Sequence, residues 1–284
     1  MSTLLLATLL VSAQTKVAPK MKKGMKKVYV TESTISIASK QPVNITQETV
    51  FEVTDATDDG YILDVYVTDV KNDATDAESR IYSMATEMLK GVHTRYATDK
   101  DGKVTKILDA ENVKKRINET LDKMLSDESL PEGLDLSKVR EQLTGELNEE
   151  TLTESLKMST SPLTLNGKTI STGTEEEFHN QQGIKMKRTY TLNTDGSIQA
   201  SSIMDMNTEE MRKLVLGLLE KMGLKLTDEV LESMGALLKN IKVDASENST
   251  YCLQKDGWVK SIVSKTDTKS MGMSFTVTSK VTLK

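Results

Sequence analysis

The chain has 284 residues, 37% of them apolar, which is enough to build a real core and argues against disorder. Lys+Arg 37 against Asp+Glu 42 gives a formal net charge of -5 at pH 7, with both signs interspersed, which excludes the basic face a nucleic acid needs. Aromatics make up 4% and no glycine-rich phosphate loop exists, so nucleotide sites and sugar-stacking platforms lose support.

The N-terminus carries an apolar run from Leu4 to Val11 that ends in Val11-Ser12-Ala13. The run is too short to span a bilayer, and small residues at the first and third positions before Gln14 fit signal-peptidase cleavage after Ala13. Residues 1–13 therefore read as a signal peptide, 14–25 as a Lys-rich leader with an exposed Lys20-Met21-Lys22-Lys23-Gly24, and 26–284 as a single domain. The expected location is periplasmic or secreted, with no transmembrane segment. Cys252 is the sole cysteine, so no internal disulfide is expected and it reads as a small buried hydrophobe.

Lys26–Ser39, Val43–Thr54 and Tyr61–Val70 alternate apolar and polar residues, with Lys40-Gln41-Pro42 and Asp58-Asp59-Gly60 between them, which predicts a three-stranded meander. The period then changes. Ile81, Met84, Ala85, Met88 and Leu89 recur at three and four, so Ala77–Lys90 reads as an amphipathic helix closed by Gly91. A hairpin from about Val92 to Leu108 follows. Asp109 is placed to cap a helix with Val113, Ile117, Leu121, Met124 and Leu125 on one face, and shorter helices are expected at Leu136–Leu147 and Glu149–Met158.

Asn166-Gly167 predicts a further hairpin, and Ile170–Phe178 and Ile184–Met206 return to strand. Asn207-Thr208-Glu209-Glu210 has capping-box spacing and opens a helix with Met211, Leu214, Val215, Leu218, Leu219 and Met222 on one face. Thr227 caps another, with Val230, Leu231, Met234, Leu237, Leu238 and Ile241 aligned. A hairpin from Val243 to Ser264 and a last strand Met271–Leu283 complete the chain.

One pattern recurs three times: Tyr-x4-Asp-Gly followed by a β-branched residue, at Tyr96/Asp101-Gly102, Tyr190/Asp195-Gly196 and Tyr251/Asp256-Gly257. Glycine enters positive φ without steric cost, so each copy marks a hairpin tip. Hairpin followed by helices occurs twice, a weak internal duplication of about 92–165 and 184–242. The expected fold is α+β: one long curved antiparallel sheet, an incomplete barrel built of Asp-Gly hairpins, with amphipathic helices packed on one face.

The Lys-rich leader, Asp-Gly-Tyr-Ile-Leu-Asp-Val-Tyr-Val from Asp59, Tyr-Ala-Thr-Asp-Lys-Asp-Gly-Lys-Val from Tyr96 and Tyr-Cys-Leu-Gln-Lys-Asp-Gly-Trp-Val from Tyr251 resemble a secreted Bacteroidetes-type family of unknown function. More distantly, the element order is similar to the LolA/LolB/LppX lipoprotein-carrier architecture. That resemblance implies an apolar pocket for acyl chains and brings no functional motif with it.

Chemistry finds little support. His93 and His179 are the only histidines, and neither stands at metal-ligand or triad spacing. Glu175-Glu176-Glu177 reads as a solvated strand edge, and Asp58, Asp59, Asp99 and Asp101 as turn residues. Trp258 reads as packing against an adjacent strand. No catalytic residue, metal site or cofactor is expected. Fifteen methionines are a generous use of a flexible side chain that adapts to varied apolar ligands. The candidate ligand pocket is Met84, Met88, Met211, Leu214, Leu218, Val230, Met234, Leu237, Met271 and Met273. Two readings stand: an exported non-enzymatic protein that binds an apolar or lipid-like ligand between sheet and helices, or a solid-cored structural module that docks another envelope protein.

Overall fold

The computed structural model describes residues 14–37, 40–74, 87, 89–125, 161–179, 184–207, 209–211, 243–270 and 273–284. Its strands are β1 (Gln14–Lys16), β2 (Lys26–Ile37), β3 (Val43–Ala56), β4 (Gly60–Asn72), β5 (His93–Asp99), β6 (Val104–Ile107), β7 (Thr169–Ser171), β8 (Glu175–His179), β9 (Lys185–Leu192), β10 (Ile198–Met204), β11 (Val243–Leu253), β12 (Val259–Ser270) and β13 (Met273–Leu283). One helix, α1 (Ala110–Leu125), follows β6.

Eleven strands form one antiparallel sheet in the order β6-β5-β4-β3-β2-β13-β12-β11-β10-β9-β8, and β1 pairs with β7 in a separate ribbon. The expected meander is β2, β3 and β4. Because β13 closes against β2, two runs of hairpins spread outward from the junction of the chain's first long strand and its last. The Asp58–Gly60 turn and all three repeat hairpins lie at one end of the strands, here called the tip end.

Each repeat tip has the same backbone. Gly102, Gly196 and Gly257 sit at φ 78, 81 and 85, and each donates its N–H to the carbonyl three residues earlier. Asp99, Asn193 and Gln254 then donate back to Lys103, Ser197 and Trp258, which makes a type I turn closed by a glycine bulge. Turn side chains reinforce the backbone: Asp99 Oδ1 accepts from the Asp101 and Lys103 amides, Asp195 Oδ1 from Ser197, and Asp256 Oδ1 from Trp258.

Residues directly opposite one another across the ladders share a face. On one face Tyr29, Phe51, Val53, Leu63, Tyr96, Ile107, Val281, Ile262, Tyr251, Ile198 and Tyr190 belong to a single core cluster. The cluster is completed by Val17 and Met21 from the leader and by Leu163, Leu165 and Ile170 from the segment leading into β7. These two segments form a plug at the tip end, joined by Val17 N–H to Lys168 O and Gly167 N–H to Val17 O.

The plug explains the curvature. Tyr96 on β5 and Tyr190 on β9 are eight ladder steps apart, about 38 Å in a flat sheet at about 4.8 Å per step. Yet Asn166 Nδ2 donates to Gly102 O at 3.2 Å beside one edge, while Lys168 Nζ donates to the Tyr190 hydroxyl at 3.0 Å beside the other. Two residues of extended chain span only about 7 Å. The sheet therefore curls into an incomplete barrel around the plug, which bridges the gap between its edges.

Several expectations need correction. Among the described residues the structure is mostly sheet, so the α+β class holds chiefly in its β part; helix is α1, Glu87 and a turn starting at Glu209. Asn166-Gly167 makes no hairpin: Leu163–Lys168 is a run of turns whose bonds run Asn166 N–H to Leu163 O and Lys168 N–H to Leu165 O. The Asp109 carboxylate does not cap α1, because Oδ1 accepts the Arg95 amide of β5. Met21 is buried rather than exposed, since it turns inward while Lys20, Lys22 and Lys23 face solvent. Cys252 is partly exposed, because Tyr251 takes the inward position and strand alternation turns the next residue out.

The Asn207 capping box is present: Asn207 Oδ1 accepts from Glu209 and Glu210 amides, and Glu210 Oε2 accepts the Asn207 amide. On α1, Val113, Ile117 and Leu121 are buried against Val92 as the spacing predicts. The helices expected at Ala77–Lys90, Leu136–Leu147, Glu149–Met158 and after Thr227 lie in large part or wholly outside the described residues.

Candidate functional site

The concave face changes character along its strands. Beyond the plugged tip half, Ser33, Ser279, Ser264 and Ser249 stand directly opposite one another on β2, β13, β12 and β11. Ser33 and Ser279 hydroxyls are 2.8 Å apart, and Ser279, Ser264 and Ser249 are buried. Further along the same face lie Ile35, Ile37, Val277 and Phe275, all partly exposed, and the cluster of Ile184, Met186 and Ala245 with Phe178, Met204 and Met206 against it. A belt of hydroxyls thus separates a filled apolar half from a far half in which these apolar residues share the face with Thr266, Thr268, Glu247 and Ser202.

At the β8 end of the belt sits a charged network. Arg188 is only 1% exposed, because strand alternation between Met186 and Tyr190 points it into the concave face. Its Nη1 donates to Glu176 Oε1 at 3.0 Å and its Nε to Ser202 Oγ at 3.1 Å. The guanidinium lies over the Phe178 ring, 4.1 Å from its centroid. Tyr190 Oη donates to Glu176 Oε1 at 2.7 Å, and Lys168 Nζ donates to Glu176 Oε2 at 2.6 Å. Among the described residues Nη2 of Arg188 has no hydrogen-bond partner; its ion-pair neighbour, Glu247 Oε1, is 3.7 Å away and takes the Ser249 hydroxyl at 3.2 Å instead.

Electrostatics hold this network charged. Burial alone would raise the Glu176 carboxyl, but the Lys168 charge, hydrogen bonds from Lys168 and Tyr190, and the Arg188 charge together hold it below the usual carboxylate range. Burial is also the main cause that pushes the Tyr190 and Tyr251 phenols far above their ordinary value. For Arg188 burial works against the charge, and the neighbouring Tyr190, Tyr251 and Glu247 outweigh it.

Of the expected pocket, two residues fall within the described part of the chain. Met211 is buried in the turn opened by Asn207, and Met273 begins β13, paired with Ser270. Met84, Met88, Leu214, Leu218, Val230, Met234, Leu237 and Met271 lie outside the described residues. The Arg188 network was missed, although a signal existed: in Met186-Lys187-Arg188-Thr189-Tyr190 an arginine occupies an apolar-parity position. Glu176 likewise is no solvated edge residue; it turns inward between Glu175 and Glu177, which pair with Lys187 and Lys185.

Other candidates stay structural. Trp258 is buried and donates Nε1–H to Lys20 O at 3.1 Å. His93 Nδ1 lies 2.8 Å from Asp64 Oδ2 and its ring stacks on Tyr66 on the convex face, while His179 ends β8 exposed. Convex residues Asp244, Ser246, Lys265, Asp267 and Lys269 line a polar groove. Among the described residues no group of three or more His, Cys, Asp or Glu side chains is placed to hold a metal, and no helix is long and apolar enough to cross a membrane.

No family model matches this chain, and no curated protein matches it. Among solved structures it is similar to one describing lipid–protein interactions in lipovitellin, with 12% identity, a TM-score of 0.43, and coverage of 93% of this chain and 25% of that one. It thus spans about a quarter of the lipovitellin chain. A porin-like protein from Bacteroides uniformis aligns with 11% identity, a TM-score of 0.19, and coverage of 91% and 95%. At these scores the similarities establish neither a family nor an activity.

Proposed function

We propose that this is an exported, non-enzymatic protein that holds an apolar or lipid-like ligand against the far half of its concave sheet face, in the manner of a lipoprotein carrier. One observation carries the reading: the far half keeps Ile35, Ile37, Val277 and Phe275 partly exposed on the face that, at the tip half, is packed into a continuous core. Partly exposed apolar positions in a concavity favour a ligand, and the hydroxyl belt gives that ligand a polar boundary. The envelope location belongs to this proposal, as does the absence of catalysis.

A second reading has its own support. The plug buries Val17, Leu165 and Ile170 completely, which favours a solid-cored module that docks an envelope partner. Titration with the uncharged probe N-phenyl-1-naphthylamine separates the two. Under the carrier reading the probe fluoresces on binding, and Val277→Trp lowers its occupancy with little loss of stability. Under the module reading no saturable signal appears, and the same enlargement costs about 1–3 kcal/mol by overpacking.

A further inference from the structure

Building on the carrier reading, we infer that the ligand's polar group is an uncharged hydrogen-bond acceptor, an ester or amide carbonyl, received by Arg188 Nη2 one row beyond the serine belt. The geometry gives the donor. Nη2 belongs to a side chain 1% exposed and has no hydrogen-bond partner among the described residues, and a buried N–H without a hydrogen bond is costly enough to demand one. Direction follows from the other contacts: Arg188 lies on β9, its Nε meets Ser202 on β10, and Nη2 reaches toward Glu247 and Ser249 on β11. The guanidinium therefore points across β10 toward Glu247 on β11, one row beyond the serine belt, where the ladder continues to Thr266. Glu247 is held 3.7 Å off by the position in which it accepts Ser249.

Charge decides the chemistry of the acceptor. Among the described residues of the network, Arg188 and Lys168 supply two positive charges and Glu176 and Glu247 two negative ones, so these four charges balance one another. A carboxylate or phosphate would bring an excess negative charge beside Glu247 in a poorly solvated place, which is strongly unfavourable. A neutral carbonyl takes the N–H with no such cost. Phe178 and Met186 lie next to the arginine on the same face and continue into the far-half cluster, so an acyl chain attached to that carbonyl runs over apolar surface.

The test is displacement of N-phenyl-1-naphthylamine from the full chain at pH 8 by 1-monopalmitoylglycerol and, separately, by palmitate. The inference expects the glycerol ester to compete at a concentration about tenfold or more below that of palmitate, the effect of one mismatched buried polar contact. Glu247→Gln removes one negative charge without changing shape, and it should narrow the preference for the ester over palmitate about tenfold. Equal competition by ester and acid, or a Glu247→Gln variant with unaltered selectivity, overturns the inference while the carrier reading stands. Failure of the probe itself to bind overturns both.

Discussion

The tip half and the far half of the concave face are made by the same strands with the same alternation, yet among the described residues the leader and the segment running into β7 fill the tip half, and no comparable plug seats on the far half. There Val17, Met21, Leu163, Leu165 and Ile170 fill the curve between Tyr96 and Tyr190. Among the described residues, what packs on the far half is α1 near Val92 and the small Ile184/Met186/Ala245 cluster. The difference teaches that inward alternation specifies only a face to be covered. Whether it becomes core or binding surface depends on what returns to cover it.

The largest effect should come from emptying the tip half. Trp258→Ala removes a buried indole that also holds the Lys20 carbonyl, and it should cost about 3–5 kcal/mol, measured by denaturant unfolding. A loss below 1 kcal/mol would mean that the leader is not part of the core.

The repeat glycines sharpen the contrast within the tips. All three occupy positive φ, but a Cβ at Gly257 would stand 2.6 Å from Ala18 O and 2.9 Å from Pro19 Cα, whereas one at Gly196 meets nothing within 4 Å. Gly196→Val should therefore cost about 1–2 kcal/mol of left-handed strain, and Gly257→Val distinctly more because the plug must also shift. Equal losses would show that the leader does not seat on the third tip.

Acid provides a smaller test, set at the belt between the halves. The folded Glu176 carboxyl lies below its unfolded value, so its contribution to stability is complete above the unfolded pKa of about 4.3 and is lost as pH falls through the folded one. Glu176→Gln should flatten the acid limb of the thermal midpoint relative to the parent chain. Parallel acid limbs would remove Glu176 from the network that fixes Arg188.

Much of this fold could be read from residues alone. The three Tyr-x4-Asp-Gly copies predict hairpins because a bulged turn needs glycine at positive φ, and strand alternation predicts the long β2, β3 and β4. Pairing across the chain is different. The junction of β2 with β13 and the seating of the leader under Trp258 depend on contacts more than two hundred residues apart, which no local pattern encodes. Asn166-Gly167 failed as a hairpin because the same dipeptide serves any tight turn, and here Asn166 is spent on Gly102. At the site, the legible signal is an arginine at an inward position of an alternating strand, whereas most of the methionine-lined helix stripes lie outside the described residues.

The central claim is that one half of the concave face is packed and the other is built to receive a ligand. Paired enlargement tests it most directly: thermal midpoints of Val17→Trp and Val277→Trp, compared with the parent chain. At about 2–4 °C per kcal/mol for a domain of this size, overpacking the plug should lower the midpoint by several degrees, about 2–12 °C, whereas Val277→Trp should leave it within about 2 °C. Equal and large losses at both positions would contradict the account, since they would make the far half as solid as the tip half.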